Sequence, residues 1–217
     1  MIKRIKTKIR RIGILKNRKK LCEHFGLVGT TFKTDGSDSF EKAMFDCFGS
    51  NNEISLCGNV NLTTSLIYIQ GNNNKIIIQK NCYLSNLTLW IEGDNNTVVI
   101  GKGCYMNNNT NITCTEGHCL IIGNACLFST DINIQVGDGH PIFNEAGVRT
   151  NETKDITIGD NVWIGKRATL LKGSKIPNGC IVATGAIITK EFDKENCVIA
   201  GIPGKIVKEN AFWSKKI

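Results

Sequence analysis

The sequence predicts an all-β solenoid, a parallel β-helix with three short sides to each turn. Three observations predict it. Aliphatic residues recur at every sixth position through the C-terminal half, an apolar pattern recurs every 22 residues through the N-terminal half, and Gly-x-Asn-Asn corners mark the second repeat. Self-similarity at a fixed period is the signature of stacked architectures.

The six-residue beat falls on Ile158, Ile164, Leu170, Ile176, Val182 and Ile188. Four residues after the first five stand Val162, Ala168, Ser174, Cys180 and Ala186, nearly all small. Neither a helix nor an alternating strand has this period. A triangular coil does: each hexad supplies one strand and one corner, and three hexads close a turn. The aliphatic residues then stack inside, and the small ones fit where the corners leave little room.

In the N-terminal half GSNNEI begins at Gly49, GNNNKI at Gly71 and GDNNTV at Gly93. Ile54, Ile76, Val98 and Leu120 keep this spacing, as do Ile78, Ile100 and Ile122, and Leu62, Leu84, Met106 and Phe128. A 22-residue turn is three hexads plus four residues, which the Gly-x-Asn-Asn corners accommodate. Glycine and asparagine tolerate the left-handed backbone such corners need. A β-sandwich gives no reason for columns to persist through four copies. Stacked turns need caps, and residues 205–217 are expected to supply one, with Phe212 and Trp213 closing the open end of the core. The chain thus divides into a lead-in of residues 1–48, a β-helix of 49–204 and a C-terminal cap of 205–217, with short helical segments expected at both ends.

Composition fits one compact domain: 217 residues, 41% hydrophobic, 21% charged, 22 glycines and three prolines. The formal charge of +8 is local, since residues 1–20 hold ten basic residues and no acidic one. Removing those ten leaves 17 of the 27 basic residues against 19 acidic ones, a net of −2 for the remainder. That body carries no nucleic-acid footprint. The basic start lacks the apolar stretch of a signal peptide. Cys82, Cys104 and Cys126 recur at core spacing and no CxxC pair occurs, which reads as a reduced, cytoplasmic protein without structural zinc. No run is long enough to span a bilayer.

Phase runs from Ile122 through Phe128 to Ile134 and resumes only at Ile158. The segment between, Val136 to Asp155 (VGDGHPIFNEAGVRTNETKD), has no hexad pattern and contains His140, one of three histidines. A long loop inside so regular a coil points to function.

GDGHPIF, then ITIGDNVWIGKRATLLKGSKIPNGCIVATGAIITKEF and VIAGIPGKIVK, resembles the hexapeptide-repeat acyltransferases. Among them the chain is most similar to bacterial O-acetyltransferases of sialic acid and of capsular or surface polysaccharide. The resemblance is strong from Ile122 to Lys208 and covers the fold back to Gly49. It implies a left-handed coil, a homotrimer with active sites between neighbouring coils, acetyl-coenzyme A as co-substrate without a metal, and a carbohydrate acceptor.

On that resemblance His140 is the general base, taking the acceptor hydroxyl's proton and returning it to the leaving thiolate; a pKa of about 6.5 suits both acts. Asp138, Asp131 or a backbone carbonyl would fix its tautomer. Trp163 matches the family tryptophan beside the loop's return, either donating to the oxyanion or walling the acetyl pocket. Lys166, Thr184, Gly185, Thr189 and Lys190 match coenzyme-groove positions, and Lys205 and Lys208 would meet its phosphates. Asn107 matches a sugar-contacting asparagine, and corner stacking explains it equally; Asp131 and Asp138 are grouped with it on the acceptor side. His118 reads as a solvent-exposed corner residue.

Ile2, Ile5, Ile9 and Ile12 would line one face of a short helix surrounded by Lys and Arg. Such a segment suits contact with the inner membrane face or docking on the trimer. Three other functions compete with this reading. A small acceptor such as a free sugar or antibiotic keeps the chemistry. A metal-dependent hydratase needs converging histidines, which His24, His118 and His140 do not supply by spacing, and a non-catalytic scaffold leaves the interrupted turn unexplained.

Overall fold

The computed structural model describes residues 22–215. It is a three-sided parallel β-helix, and the chain visits the faces in a fixed order. The first face stacks Thr30–Lys33, Asn52–Leu56, Lys75–Ile78, Thr97–Ile100, Cys119–Ile122, Ile156–Ile158 and Lys175–Ile176. The second stacks Asn61–Thr63, Tyr83–Ser85, Trp163–Ile164, Ile181–Val182 and Val198–Ala200. The third stacks Cys22–Leu27, Ala43–Phe48, Leu66–Gln70, Leu87–Glu92, Thr169–Leu171 and Ile187–Ile188. Two longer strands, Tyr105–Thr115 and Leu127–Gln135, bend from the second face onto the third. Asn109 and Asp131 make those bends with φ of 56° and 60°.

Each turn lies in register on the last: Ile76, Val98 and Leu120 pair in sequence, then Ile156. The hexad residues Ile158, Ile164, Leu170, Ile176, Val182 and Ile188 are all buried, with Val162, Ala168, Ser174, Cys180 and Ala186 at the tight inward positions. The cysteine column is equally internal: the Sγ atoms of Cys82, Cys104 and Cys126 each donate to a carbonyl one turn on, of Gly101, Gly123 and Gly159, at 3.1 Å. Burial pushes the Cys47 and Cys114 thiols up to about 12, so neither supplies a thiolate at neutral pH.

The Gly-x-Asn-Asn corners work by contact between turns. Asn52, Asn74 and Asn96 are 1% exposed and form a ladder. The Nδ2 of Asn52 donates to the Gly71 carbonyl at 2.8 Å and its Oδ1 accepts the Asn74 amide at 2.9 Å. Asn74 repeats the pattern with the Gly93 carbonyl and the Asn96 amide, both at 2.9 Å. A Cβ at Gly49 or Gly71 would lie 1.8 or 2.0 Å from a carbonyl oxygen of the next turn, so only glycine fits there.

Both ends differ from expectation. The ladder does not begin at Gly49 but runs back to Cys22, which pairs with Ala43. Edge-to-face rings of Phe32, Phe40 and Phe45, 5.2 to 5.9 Å apart, plug that end. At the other end no helix forms among the described residues. Lys205–Lys208 is a strand antiparallel to Val198–Ala200, which satisfies the last turn's open edge as a helix could not. Ile206 packs there against the core, while Phe212 is 77% exposed and Trp213 turns back along the coil. The segment expected as an amphipathic helix, residues 1–20, lies outside the described residues.

The amide ladder makes a stability prediction. Asn74→Ala orphans the Gly93 carbonyl and the Asn96 amide inside the corner, and is expected to lower unfolding free energy by about 2–4 kcal/mol in urea melts. Lys75→Ala, next door but exposed, is expected to change it by less than about 0.5 kcal/mol.

Candidate functional site

The break in the repeat lies at the corner between the third and first faces. The chain leaves the third face after Gln135 and rejoins the first at Ile156. Between them residues 142–150 form a small hairpin, with Phe143 bridged to Arg149 and the Asn144 amide bonded to the Val148 carbonyl at 2.9 Å.

Three polar attachments hold this loop to the coil. The Nζ of Lys172 donates to Asp138 Oδ2 at 2.6 Å and to the Asn151 carbonyl at 2.9 Å. Arg149 donates to Glu116 at 2.9 Å, and the Thr153 hydroxyl to the same carboxylate at 2.6 Å. His118 Nδ1 lies 2.7 Å from Asp155 Oδ1, whose carboxylate also accepts the Cys119 amide. The hydrogen bond from Lys172 holds the Asp138 carboxyl below its ordinary range, and that from Arg149 does the same for Glu116. Burial pushes Asp155 up, but the Cys119 amide and the His118 ring outweigh it and leave the group lowered.

Asn151, 8% exposed, sits at the centre. Its Nδ2 donates to Asp138 Oδ2 at 2.9 Å and to the His140 carbonyl at 2.8 Å, while its Oδ1 accepts the Ile142 amide at 2.6 Å. The backbone is therefore fixed on both sides of His140. The imidazole itself is exposed and has no hydrogen-bond partner among the described residues. The main chain at this position is thus clamped, while no described group fixes the tautomer of the ring as an orienting partner would.

Trp163 stands on the second face, 37% exposed, with Nε1 donating to Ser129 Oγ at 3.2 Å. Asn107 lies one turn before Ser129 on the same face. The second face is opposite the corner that roots the His140 loop, so one chain does not bring His140 to Trp163. The coenzyme candidates are divided likewise. Lys166, Thr184 and Gly185 follow second-face strands at their corner, Thr189 and Lys190 follow Ile187–Ile188 at the loop's corner, and Lys205 and Lys208 lie on the capping strand. A concavity of about 350 Å³ lined by Thr157, Lys175, Phe192 and Glu195 holds none of these residues.

The two aspartates have other partners. Asp138 is engaged by Lys172 and Asn151 and does not touch the His140 ring, so it anchors the loop rather than orienting the imidazole. Asp131 accepts from Asn109 Nδ2 at 2.8 Å and lies 4.0 Å from both Lys166 and Arg167, at the far corner. His118, expected as a plain surface residue, helps pin the loop's end. Sequence reasoning missed Glu116, Arg149, Asn151 and Lys172; the one signal was their polar character, Arg149 and Asn151 within the break and Glu116 and Lys172 on the turns beside it.

The sequence profile described as bacterial transferase hexapeptide (six repeats) matches residues 155–190. A polysialic acid O-acetyltransferase of Neisseria meningitidis is 34% identical over 78 residues, 36% of this chain and 36% of that protein. The curated relatives compared first are matched over about a quarter to a third of their length. Solved structures agree over far more. The polysialic acid O-acetyltransferase OatWY superposes with a TM-score of 0.85 at 31% identity, over 91% of this chain and 92% of that one. The polysialic acid acetyltransferase NeuO gives 0.60 at 29% identity, over 87% and 90%.

The loop's attachments are ionic and their pH dependence has a definite sign. Asp138 and Glu116 are lowered in the folded protein, so their contribution is complete above the ordinary carboxylate range, about 4 to 4.5, and is lost as pH falls through the lowered values. Deuterium uptake across residues 138–151 is expected to reflect constant protection from about pH 5 to 8, after correction for intrinsic exchange, and loss of it below about pH 4. Lys172→Met is expected to raise that uptake about tenfold at neutral pH while leaving strands such as Thr97–Ile100 protected.

Proposed function

We propose that this chain, which belongs to the hexapeptide-repeat bacterial transferases, moves acetyl from acetyl-coenzyme A to a hydroxyl of a sugar in a surface polysaccharide or sialic acid polymer. The observation that carries the reading is the single interrupted turn, which presents an unengaged His140 in a chain that aligns almost end to end with a polysialic acid O-acetyltransferase.

The chemistry follows from the groups present. The acceptor hydroxyl is too weak a nucleophile at neutral pH, so His140 removes its proton as the oxygen attacks the thioester carbonyl. The tetrahedral intermediate carries an oxyanion that requires a donor. Its collapse breaks the carbon–sulfur bond, and the imidazolium returns the proton to the departing thiolate. In this scheme acetyl passes directly to the sugar oxygen.

Because His140 and Trp163 stand on opposite sides of one coil, the site of this reaction is completed by a second copy, with the loop of one subunit reaching the second face of its neighbour. A homotrimer closes that arrangement with three equal sites. Coenzyme residues then come from two subunits, which accounts for their separation in one chain. Lys205 and Lys208 are both exposed and free to meet phosphates. The same reading places the enzyme in the cytoplasm, with the ten basic residues of positions 1–20 contacting the anionic inner face of the membrane.

Release of free coenzyme A in the presence of sialosides, capsular fragments and simple sugars tests the activity. His140→Ala is expected to lose at least about a hundredfold in turnover; unchanged turnover would remove His140 from the role of base. Trp163→Ala is expected to be similarly impaired, about tenfold or more. Unfolding and refolding the two variants together is expected to restore activity that neither has alone, since mixed trimers regain sites with both residues intact. No recovery in refolded mixtures would place the whole site within one chain.

A further inference from the structure

The segment after the capping strand runs backwards along the coil instead of leaving it. The Ala211 amide donates to the Asn196 carbonyl at 2.7 Å, Trp213 Nε1 to the Asn161 carbonyl at 2.8 Å, and Lys215 Nζ to the Gly103 carbonyl at 3.1 Å. Asn196, Asn161 and Gly103 all stand at the corner between the first and second faces. Asn161 and Asn196 adopt φ of 52° and 53° and Gly103 of 69°, a bend that leaves carbonyls facing outward. Residues 211–215 thus form a strap across several turns, tied by one hydrogen bond at each of three levels.

The strap delivers one large side chain to one place. The indole of Trp213 lies 6.0 Å from that of Trp163, inclined at 45°. Among the described residues the indole's hydrogen-bond partner is Ser129, at 3.2 Å, and its neighbours in the column, Leu127 and Ile181, are smaller. An indole on an outward-facing strand has other rotamers open to it, and a second ring against it removes them. Trp213 does not cover the core: Phe192 and Ile206 pack there instead.

We propose that Trp213 is a positioning residue of the transfer site, clamping the Trp163 side chain through a strap hung on the corner carbonyls. The inference rests on the reading that Trp163 lines that site. Misplacing a group at a reacting centre by about 1 Å costs on the order of a hundredfold in rate, so the strap would act on turnover more than on folding.

The full-length chain tests this with Trp213→Ala, Trp213→Phe, Trp163→Phe and His140→Ala, each assayed for turnover, Michaelis constants, melting temperature and far-ultraviolet circular dichroism. Two indoles this close give an exciton couplet, superposed here on the signal of the stacked Tyr68 and Trp90; the same difference spectrum is expected to be lost in Trp213→Phe and Trp163→Phe. Trp213→Ala is expected to lower kcat by about tenfold to a hundredfold with its melting transition still well above the assay temperature, and Trp213→Phe to restore most of the rate. An unchanged kcat in Trp213→Ala, or a loss that only tracks partial unfolding, would overturn the proposal. If His140→Ala is inactive while Trp213→Ala is unimpaired, the strap alone is refuted; if the unaltered chain releases no coenzyme A with any acceptor, the acetyl-transfer reading itself fails.

Discussion

Parallel, in-register stacking is the constraint on which the rest of this structure depends. Every side chain in the repeat meets its own equivalent one turn above and one below. Apolar positions therefore fuse into continuous columns, such as Ile76, Val98 and Leu120. A polar position is tolerable only if it bonds to copies of itself or to the backbone of the next turn. The buried asparagines solve this by donating to a carbonyl of the next turn and accepting an amide from that same turn. An unpaired amide in that corner would cost more than most single contacts contribute. The same geometry makes the array cooperative, because no turn can bury its face alone.

Such a stack can be interrupted only at a corner, where the chain already leaves the ladder. The loop of residues 136–155 does this between the third and first faces, and the turns on either side close over the gap: Leu120 pairs directly with Ile156. Since the loop has no ladder of its own, its order comes from charged and amide groups on neighbouring turns, Glu116 before it and Lys172 after it. Asn151 then transfers that order to the main chain at His140. Rigidity reaches the residue through its backbone, which leaves the ring free for an exchange of protons.

The interior was legible in the sequence because stacking writes itself as period. Hexads and 22-residue steps identify the buried residues of residues 49–204 without further help. The same step relates Phe32 to Ile54 and Phe45 to Ile67, so the earlier turns were also written there; they were missed because their corners lack Gly-x-Asn-Asn. His140 could be found because it sits where period fails. What holds it could not, since Glu116 with Arg149 and Asp138 with Lys172 are pairs 33 and 34 residues apart, joined by geometry that no local pattern records. The C-terminal end was misread for a similar reason. Hydrophobicity marks Trp213 as something to be covered, but only the positions of outward carbonyls say where.

A triangular prism is convex on all sides, with its apolar content inside and its corners closed by hydrogen bonds between turns. Nothing in that form encloses a substrate, and a transfer of acetyl needs enclosure, since water competes with a sugar hydroxyl for the thioester. Concavity must come from additions to the prism or from a neighbouring one. The described residues make two additions, the loop and the strap, and they stand at different corners, one carrying His140 and the other bracing Trp163. Neither makes a cleft by itself. In the trimer proposed above, the loop of one prism would meet the braced face of the next, and the groove between them would have both residues in its walls. The separation that keeps one chain from forming the proposed site would then let a closed ring of identical chains form it at every junction.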